Sequence, residues 1–481
     1  MNTFNRKSLH AALAGLGALG ATGAAQAVNV NPDGLGQVLI YPYYTTQGTN
    51  APYNSLLSVV NSTNSGKVVK VRFLEGKNSI EVLDFNLWLS PKDVWTAAIV
   101  PSGVGAGIAT ADLSCTTPKV SASAGAPTNF VNFAYVGDPA TQTLDRTKEG
   151  YVEIIEMGNV TGATLAAITH AQPSPPGVPP GCASLPVGAT PPTDLVVGNG
   201  GLFGGISLIN PLAGGDVTAD AVALNSFTAT TLWNAAGSPG PNLNQVNPRL
   251  SVVFNNTEVV TTDWSASSNN VDAVSAALMH DNVYNEFVLD PGTKSGTDWV
   301  LTFPTKRFYY NAFFNVTKLF QNNFRATGAC DDILLTQYNR EEQTVVNVPG
   351  FSPPSPTGTD AICWEANVIS FNNTNVLLAT NKSVLTTSFP NGWVSLNFFP
   401  ATITPPVHQL IGGGAVRVST ATGAPVVGSP FASSTYNGLP VVGFSAQLFN
   451  NGTLVNPAGG SIQAFYTGSF IHKYTRLITA P

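Results

Sequence analysis

The stretch VVNSTNSGKVVKVRFLEGKNS, residues 59–79, decides the fold class. Val69, Val71 and Phe73 alternate with Lys70 and Arg72, the period of a strand with one apolar and one polar face. Asn61-Ser62-Thr63-Asn64 before it and Glu75-Gly76-Lys77-Asn78 after it carry turn chemistry, because Asn tolerates left-handed backbone and bonds its own main chain. Reading outward, Leu57 and Val59 alternate with Ser58, and Leu83, Phe85, Leu87 and Leu89 alternate with Asp84, Asn86 and Trp88. Ser90-Pro91-Lys92-Asp93 makes a further turn before VWTAAIV. The pattern is one of half-buried strands, with Lys70, Arg72, Glu75, Glu81, Asp84, Glu153 and Glu156 expected on water-facing positions. The apolar strand closed by Asn and Thr returns as VVFNNT (252–257), ISFNNT (369–374), FNVT (314–317) and FNNGT (449–453). Its spacing is irregular, so it reads as a repeated way of turning the chain and not as a solenoid period.

Other segments extend the pattern. GLGQVLIYPYYTTQG (34–48) is a strand with Pro42 at an edge or irregular end. FVLD, TDWVLTFPTKRFYYNAFF, GWVSLNFF, LPVVGFSAQLFNNGT and SIQAFYTGSF continue it to the C-terminus. VDAVSAALMHDNVYNEF (271–287) reads as a helix, with Asp272 as its cap and Val274, Ala277 and Leu278 on one face. Residues 101–129, 171–205 and 349–360 are rich in Gly, Pro, Ala, Ser and Thr and read as long loops. The expected fold is all-β, with two antiparallel sandwiches, immunoglobulin-like or jelly-roll-like, over 28–245 and 246–481 and joined near Gly237–Pro248. An outer-membrane barrel is the architectural rival. The Pro-rich stretches, uneven strand spacing and the ending RLITAP oppose it.

Composition bounds location and partners. Arg6 and Lys7, the small apolar run from Leu9 to Ala25, and Ala25-Gln26-Ala27 form a signal peptide over 1–27. No later run is apolar and long enough for a transmembrane helix. With 27 Asp and Glu against 21 Lys and Arg, the net charge of −6 excludes a general affinity for nucleic acid. Only 10% of the chain is charged, against about 25% in ordinary domains, so copies repel one another weakly. Cys115, Cys182, Cys330 and Cys363 allow three pairings; neighbours in sequence give Cys115–Cys182 and Cys330–Cys363, in an oxidising compartment.

Catalytic patterns are sparse. Gly-x-Ser-x-Gly is absent, and His170, His280, His408 and His472 are scattered without a partner in sequence. GNGGLFGG (198–205) lacks the Lys-Ser/Thr of a phosphate loop and reads as a flexible loop. Asp331-Asp332 and the pair Asp290 and Asp298 offer oxygens for calcium but match neither the EF-hand pattern nor the Gly-Gly-x-Gly-x-Asp repeat, so no metal ligand or cofactor is expected. Among seven Trp, Trp95 and Trp299 included, Trp88 stands on the face opposite Leu87 and Leu89 and is expected as an interface aromatic packing between domains, with ligand binding as the alternative. These residues lead to a non-enzymatic exported protein that self-associates or contacts envelope glycans, in the manner of a surface layer. The alternative is a glycan- or small-ligand-binding module.

GQVLIYPYYTTQG, VVKVRFLEGKNSIEVLDFNLWLSP and TDWVLTFPTKRFYY resemble segments of a proteobacterial family of exported cell-surface proteins. VRFLEG and LSPKDVW also resemble immunoglobulin-like sandwich modules. The resemblance implies a place at the cell surface, in the outer envelope or outside the cell. It carries no catalytic residue.

Overall fold

The computed structural model describes residues 26–170, 177–212, 214–311, 314–315, 319–346, 360–400, 407–455 and 459–480. Nearly all of the expected signal peptide, and most of the expected 349–360 loop, lie outside the described residues.

The N-terminal half is two facing sheets. In the eight-stranded one, Asn29–Val30, Val222–Asn225, Val38–Thr45, Glu149–Val160, Gly66–Glu75, Glu81–Leu89 and Cys115–Thr117 lie side by side, and Leu195–Val196 pairs with Glu149–Val160. The six-stranded sheet runs Gly215–Asp220, Leu202–Asn210, Asn54–Asn61, Val94–Ser102, Gly105–Ala109 and Thr128–Asn129. Leu39, Tyr41, Val69, Val71, Phe73 and Leu87 pack against Leu57, Trp95 and Ile206 between them, as alternation dictates. The expected flexible loop at 198–205 ends inside the Leu202–Asn210 strand. Gly204 is needed there, because a Cβ would lie 2.1 Å from the Ser58 carbonyl oxygen and 2.4 Å from the Tyr41 hydroxyl.

The C-terminal half repeats the two-layer plan. Thr344–Val346, Asp331–Asn339, Asn391–Asn397, Asn282–Val288 and Lys473–Thr475 form one sheet, with Asp360–Ile362 also paired to Asp331–Asn339. The other orders Lys382–Leu385, Ala366–Phe371, Gly296–Thr302, Val442–Val455 and Ser461–Ile471. Pairing within these four sheets is antiparallel except between Ala366–Phe371 and Lys382–Leu385. The sheets are open, as in sandwiches.

The halves share hydrophobic clusters. Val38, Ile40, Leu74, Tyr151 and Ile155 cluster with Trp299, Leu301 and Ile369, so the eight-stranded sheet is covered on both faces. Backbone bonds cross the seam from Glu365 N to Lys77 O and from Ala366 N to Gly76 O, at 3.0 and 2.8 Å. Buried Glu149 accepts from the Asn381 amide at 2.8 Å and the Tyr43 hydroxyl at 2.7 Å, tying the carboxylate of one half to the main chain of the other.

The recurrent turn has several outcomes. At 250–263 it is a hairpin, with Asn255 opposite Glu258 and Asn256 at φ +55°. After Phe371, Asn372 and Asn373 also take positive φ, but the chain crosses over to a parallel strand. After Asn61 it links two different sheets, and Asn61 Nδ2 bonds Ser65 O and Ser90 O. FNNGT turns nothing back: it is a register shift inside Val442–Val455. The end of FNVT lies outside the described residues.

Among the described residues two short helices are present where one was expected. Gly162–Ile168 was not foreseen. The other is Asp272–Leu278 and is wholly buried, shorter than the expected 271–287 because Asn282–Val288 alternates as a strand. Asp272 is its first residue and not its cap; its carboxylate accepts from Tyr309 Oη at 2.7 Å.

Candidate functional site

Strand Gly66–Glu75 alternates as read, yet every residue of it is buried. The expectation of a water-facing charged side is therefore wrong. Lys70 Nζ lies 2.9 Å from Asp84, and Arg72 lies 2.6 Å from Glu81 and 2.5 Å from Glu153. Lys67 pairs with Glu156, and Arg146 grips both oxygens of Glu75, at 2.6 and 2.8 Å. The lid over this face includes residues 234–237: the Ala235 carbonyl accepts from Lys70, the Asn234 carbonyl from Asn86, and the Gly237 amide donates to Asp84. Ions removed from water survive only when paired and hydrogen-bonded; these contacts pair each ion named here, although Glu153 Oε1 is left without a partner. Among the described residues six Lys or Arg and ten Asp or Glu are buried, so the surface is more sparsely charged than the composition suggests.

Trp88 does stand opposite Leu87 and Leu89, but inside the protein. It is 0% exposed, packs with Val68, Met157, Ile168 and Cys115, and donates from Nε1 to Thr117 Oγ1 at 3.1 Å. Beside it lies the Cys115–Cys182 disulfide, which with Cys330–Cys363 matches the expected pairing. These bonds place the chain in an oxidising environment.

The titratable candidates serve the fold. Asp331 meets Lys306 at 2.7 Å and His408 Nε2 at 3.3 Å; against burial, those two hold its carboxyl below the usual range. Asp290 accepts from the Gly292 amide at 2.7 Å, and Asp298 from the Leu377 amide at 2.8 Å. Among the described residues no three His, Cys, Asp or Glu converge in a way that could hold a metal ion. Burial pushes Asp298 up to about 6 and His472 down to about 4. It also pushes Glu365 up to about 8; this carboxyl sits at the seam, accepting from Ser79 Oγ at 2.8 Å.

His170, without a partner in sequence, does meet a serine and a carboxylate. Its Nδ1 lies 3.0 Å from Ser90 Oγ and 3.8 Å from Asp93. A hydrolytic triad places the carboxylate on one ring nitrogen and the nucleophile on the other. Here both approach Nδ1, and Asp93 also accepts from the Ser90 amide at 2.8 Å. The arrangement is that of a capped turn.

Among the described residues, two sheet faces with exposed apolar or aromatic side chains stand out. The outer face of the N-terminal six-stranded sheet is hollowed into a trough of about 720 Å³. Its rows include Ser207, Leu56, Ala98 and Ala109 side by side, with Gly205 and Ser58 in the next. Leu56 and Phe203 are 42% and 41% exposed, and Val94 is exposed nearby. The second surface is on the Asn391–Asn397 sheet. Val283, Phe287, Leu335, Val394 and Leu396 point into the core, which turns Tyr284, Glu286, Thr336, Tyr338, Trp393 and Ser395 outward. Trp393 is the one exposed indole of the seven. Sequence reading passed it over because Trp393 and Trp88 both alternate with apolar neighbours, and alternation does not say which face meets water. No protein-family model, curated protein or solved structure matches the chain.

Proposed function

We propose that this is a non-enzymatic structural protein of the cell surface or outer envelope, and that it assembles with copies of itself through the trough of the N-terminal six-stranded sheet. The observation carrying the reading is the exchange of residue types between inside and outside. Cations and carboxylates are withdrawn into buried pairs, while Leu56, Val94 and Phe203 are left exposed around small residues. Approach of a second copy then meets little electrostatic repulsion, and covering the apolar side chains contributes favourably. Ser58, Ala98, Ala109 and Gly205 leave room for its side chains. Two disulfides suit a protein that must persist outside the reducing cytoplasm.

Sedimentation velocity over a concentration series, at low and high salt, tests this. Reversible assembly that salt barely changes is expected, and Leu56→Glu with Phe203→Glu should return the protein to monomer. A wild-type chain that stays monomeric at the highest soluble concentration would sink the proposal.

A further inference from the structure

We infer that the outer face of the Asn391–Asn397 sheet is a binding site for a neutral saccharide chain, independent of any self-association. Three strands bring its aromatic groups together. Tyr338 and Trp393 are cross-strand neighbours with ring centroids 4.2 Å apart and planes inclined by 13°. On the opposite side of Trp393, Tyr284 lies 6.2 Å away at 53°. Stacking closes one face of the indole against Tyr338 and leaves the other toward the tilted Tyr284 ring, beside polar tips; a pyranose ring has the complementary form, with a C–H face and a rim of hydroxyls.

The polar groups match that rim. Glu286 stands directly across from Trp393, and the next row runs Thr336, Ser395, Tyr284 and Lys473. Glu286 and Lys473 are both exposed, so the face presents one carboxylate to accept from hydroxyls and one ammonium to donate to them. The two charges balance, which favours an uncharged ligand over a polyanion. Its four strands span about 14 Å at ordinary strand spacing. That span suits several units of an extended chain better than one enclosed monosaccharide. A cross-strand aromatic pair would by itself stabilise the sheet, but it would not need an exposed indole flanked by a third ring and balanced charges.

The test is titration of the full-length disulfide-bonded protein with cellohexaose and chitohexaose, followed by tryptophan emission and calorimetry, with oligogalacturonate as the anionic comparison. Both neutral probes are expected to saturate and to change the emission. Trp393→Ala should weaken binding by roughly tenfold or more, as for aromatic anchors that become covered on binding, while Trp393→Phe keeps most of it. Glu286→Gln, which removes only a surface charge, should weaken it by several-fold with an unchanged melting temperature. The inference is overturned if neither neutral probe saturates, if Trp393→Ala binds like the wild type, or if oligogalacturonate binds as tightly as the neutral chains.

Discussion

The Gly66–Glu75 strand and the Asn391–Asn397 strand exchange the usual places of charge and aromatic surface. The first carries Lys67, Lys70 and Arg72 and is buried from end to end. The second, NGWVSLN, has no charged residue and holds an indole in water. Each obeys the same period of two; what differs is the cover. A lid that includes residues 234–237, together with the C-terminal half, closes the outer side of Gly66–Glu75, whereas nothing among the described residues closes the outer side of Asn391–Asn397. The comparison teaches that the same alternation buries a charged row where a second layer supplies its partners and leaves an aromatic row in water where none covers it.

The largest way to break the contrast is to unpair the buried ions. Arg72→Met strands Glu81 and Glu153, and should cost about 3–5 kcal/mol in denaturant unfolding. Replacing Glu153 by Leu and Glu81 by Gln in the same chain should restore most of that, since the penalty belongs to the orphaned charges. A loss below about 1 kcal/mol in the single variant would mean that water reaches the pair. Next, Cys115→Ser with Cys182→Ser opens a link spanning 67 residues, and should cost about 2–4 kcal/mol, read as a lower melting temperature.

The seam gives a pH-dependent effect. Glu365, pushed by burial from 4.5 to about 8, holds its proton in the folded chain at pH values where the unfolded chain has lost it. It therefore contributes stability that is complete at acid pH and fades as pH rises toward 8. Glu365→Gln should flatten that dependence by on the order of 3 kcal/mol between pH 5 and 8, measured by unfolding at each pH. A variant with the wild-type slope would show that the carboxyl is ionised at neutral pH. His472, pushed down to about 4, acts with the opposite sign and loses stability as pH falls below its ordinary 6.5. The smallest effect on folding is expected at the exposed end of the comparison. Trp393→Ala should cost no more than about 1 kcal/mol, so that any large loss of saccharide binding in that variant is a loss of contact and not of structure.

Much of the scaffold was legible from period and turn chemistry. Val69, Val71 and Phe73 reach the inter-sheet core as alternation requires, and both disulfides join the cysteines nearest in sequence. The misreadings share one cause. Lys70, Arg72, Glu153 and Trp88 lie opposite an apolar row, which by alternation alone reads as an outer face, but a second layer covers it. Likewise Asn-Asn-Thr specifies a local positive-φ bend, and the same bend served a hairpin at 255–258 and a crossover after 371. The meeting of His170 with Ser90 and Asp93 depends on residues 80 apart in the chain and leaves no local signal.

By itself, the sequence determined that the chain forms strands, where many of them bend, and which side chains share a face, because backbone sterics and side-chain alternation act over a few neighbouring residues. Only the tertiary structure decided which faces meet water, where each buried cation finds its carboxylate, and which of seven indoles remains outside. Those outcomes follow from how layers distant in sequence stack, where the cost of desolvating a charge is offset by a partner that no local pattern specifies.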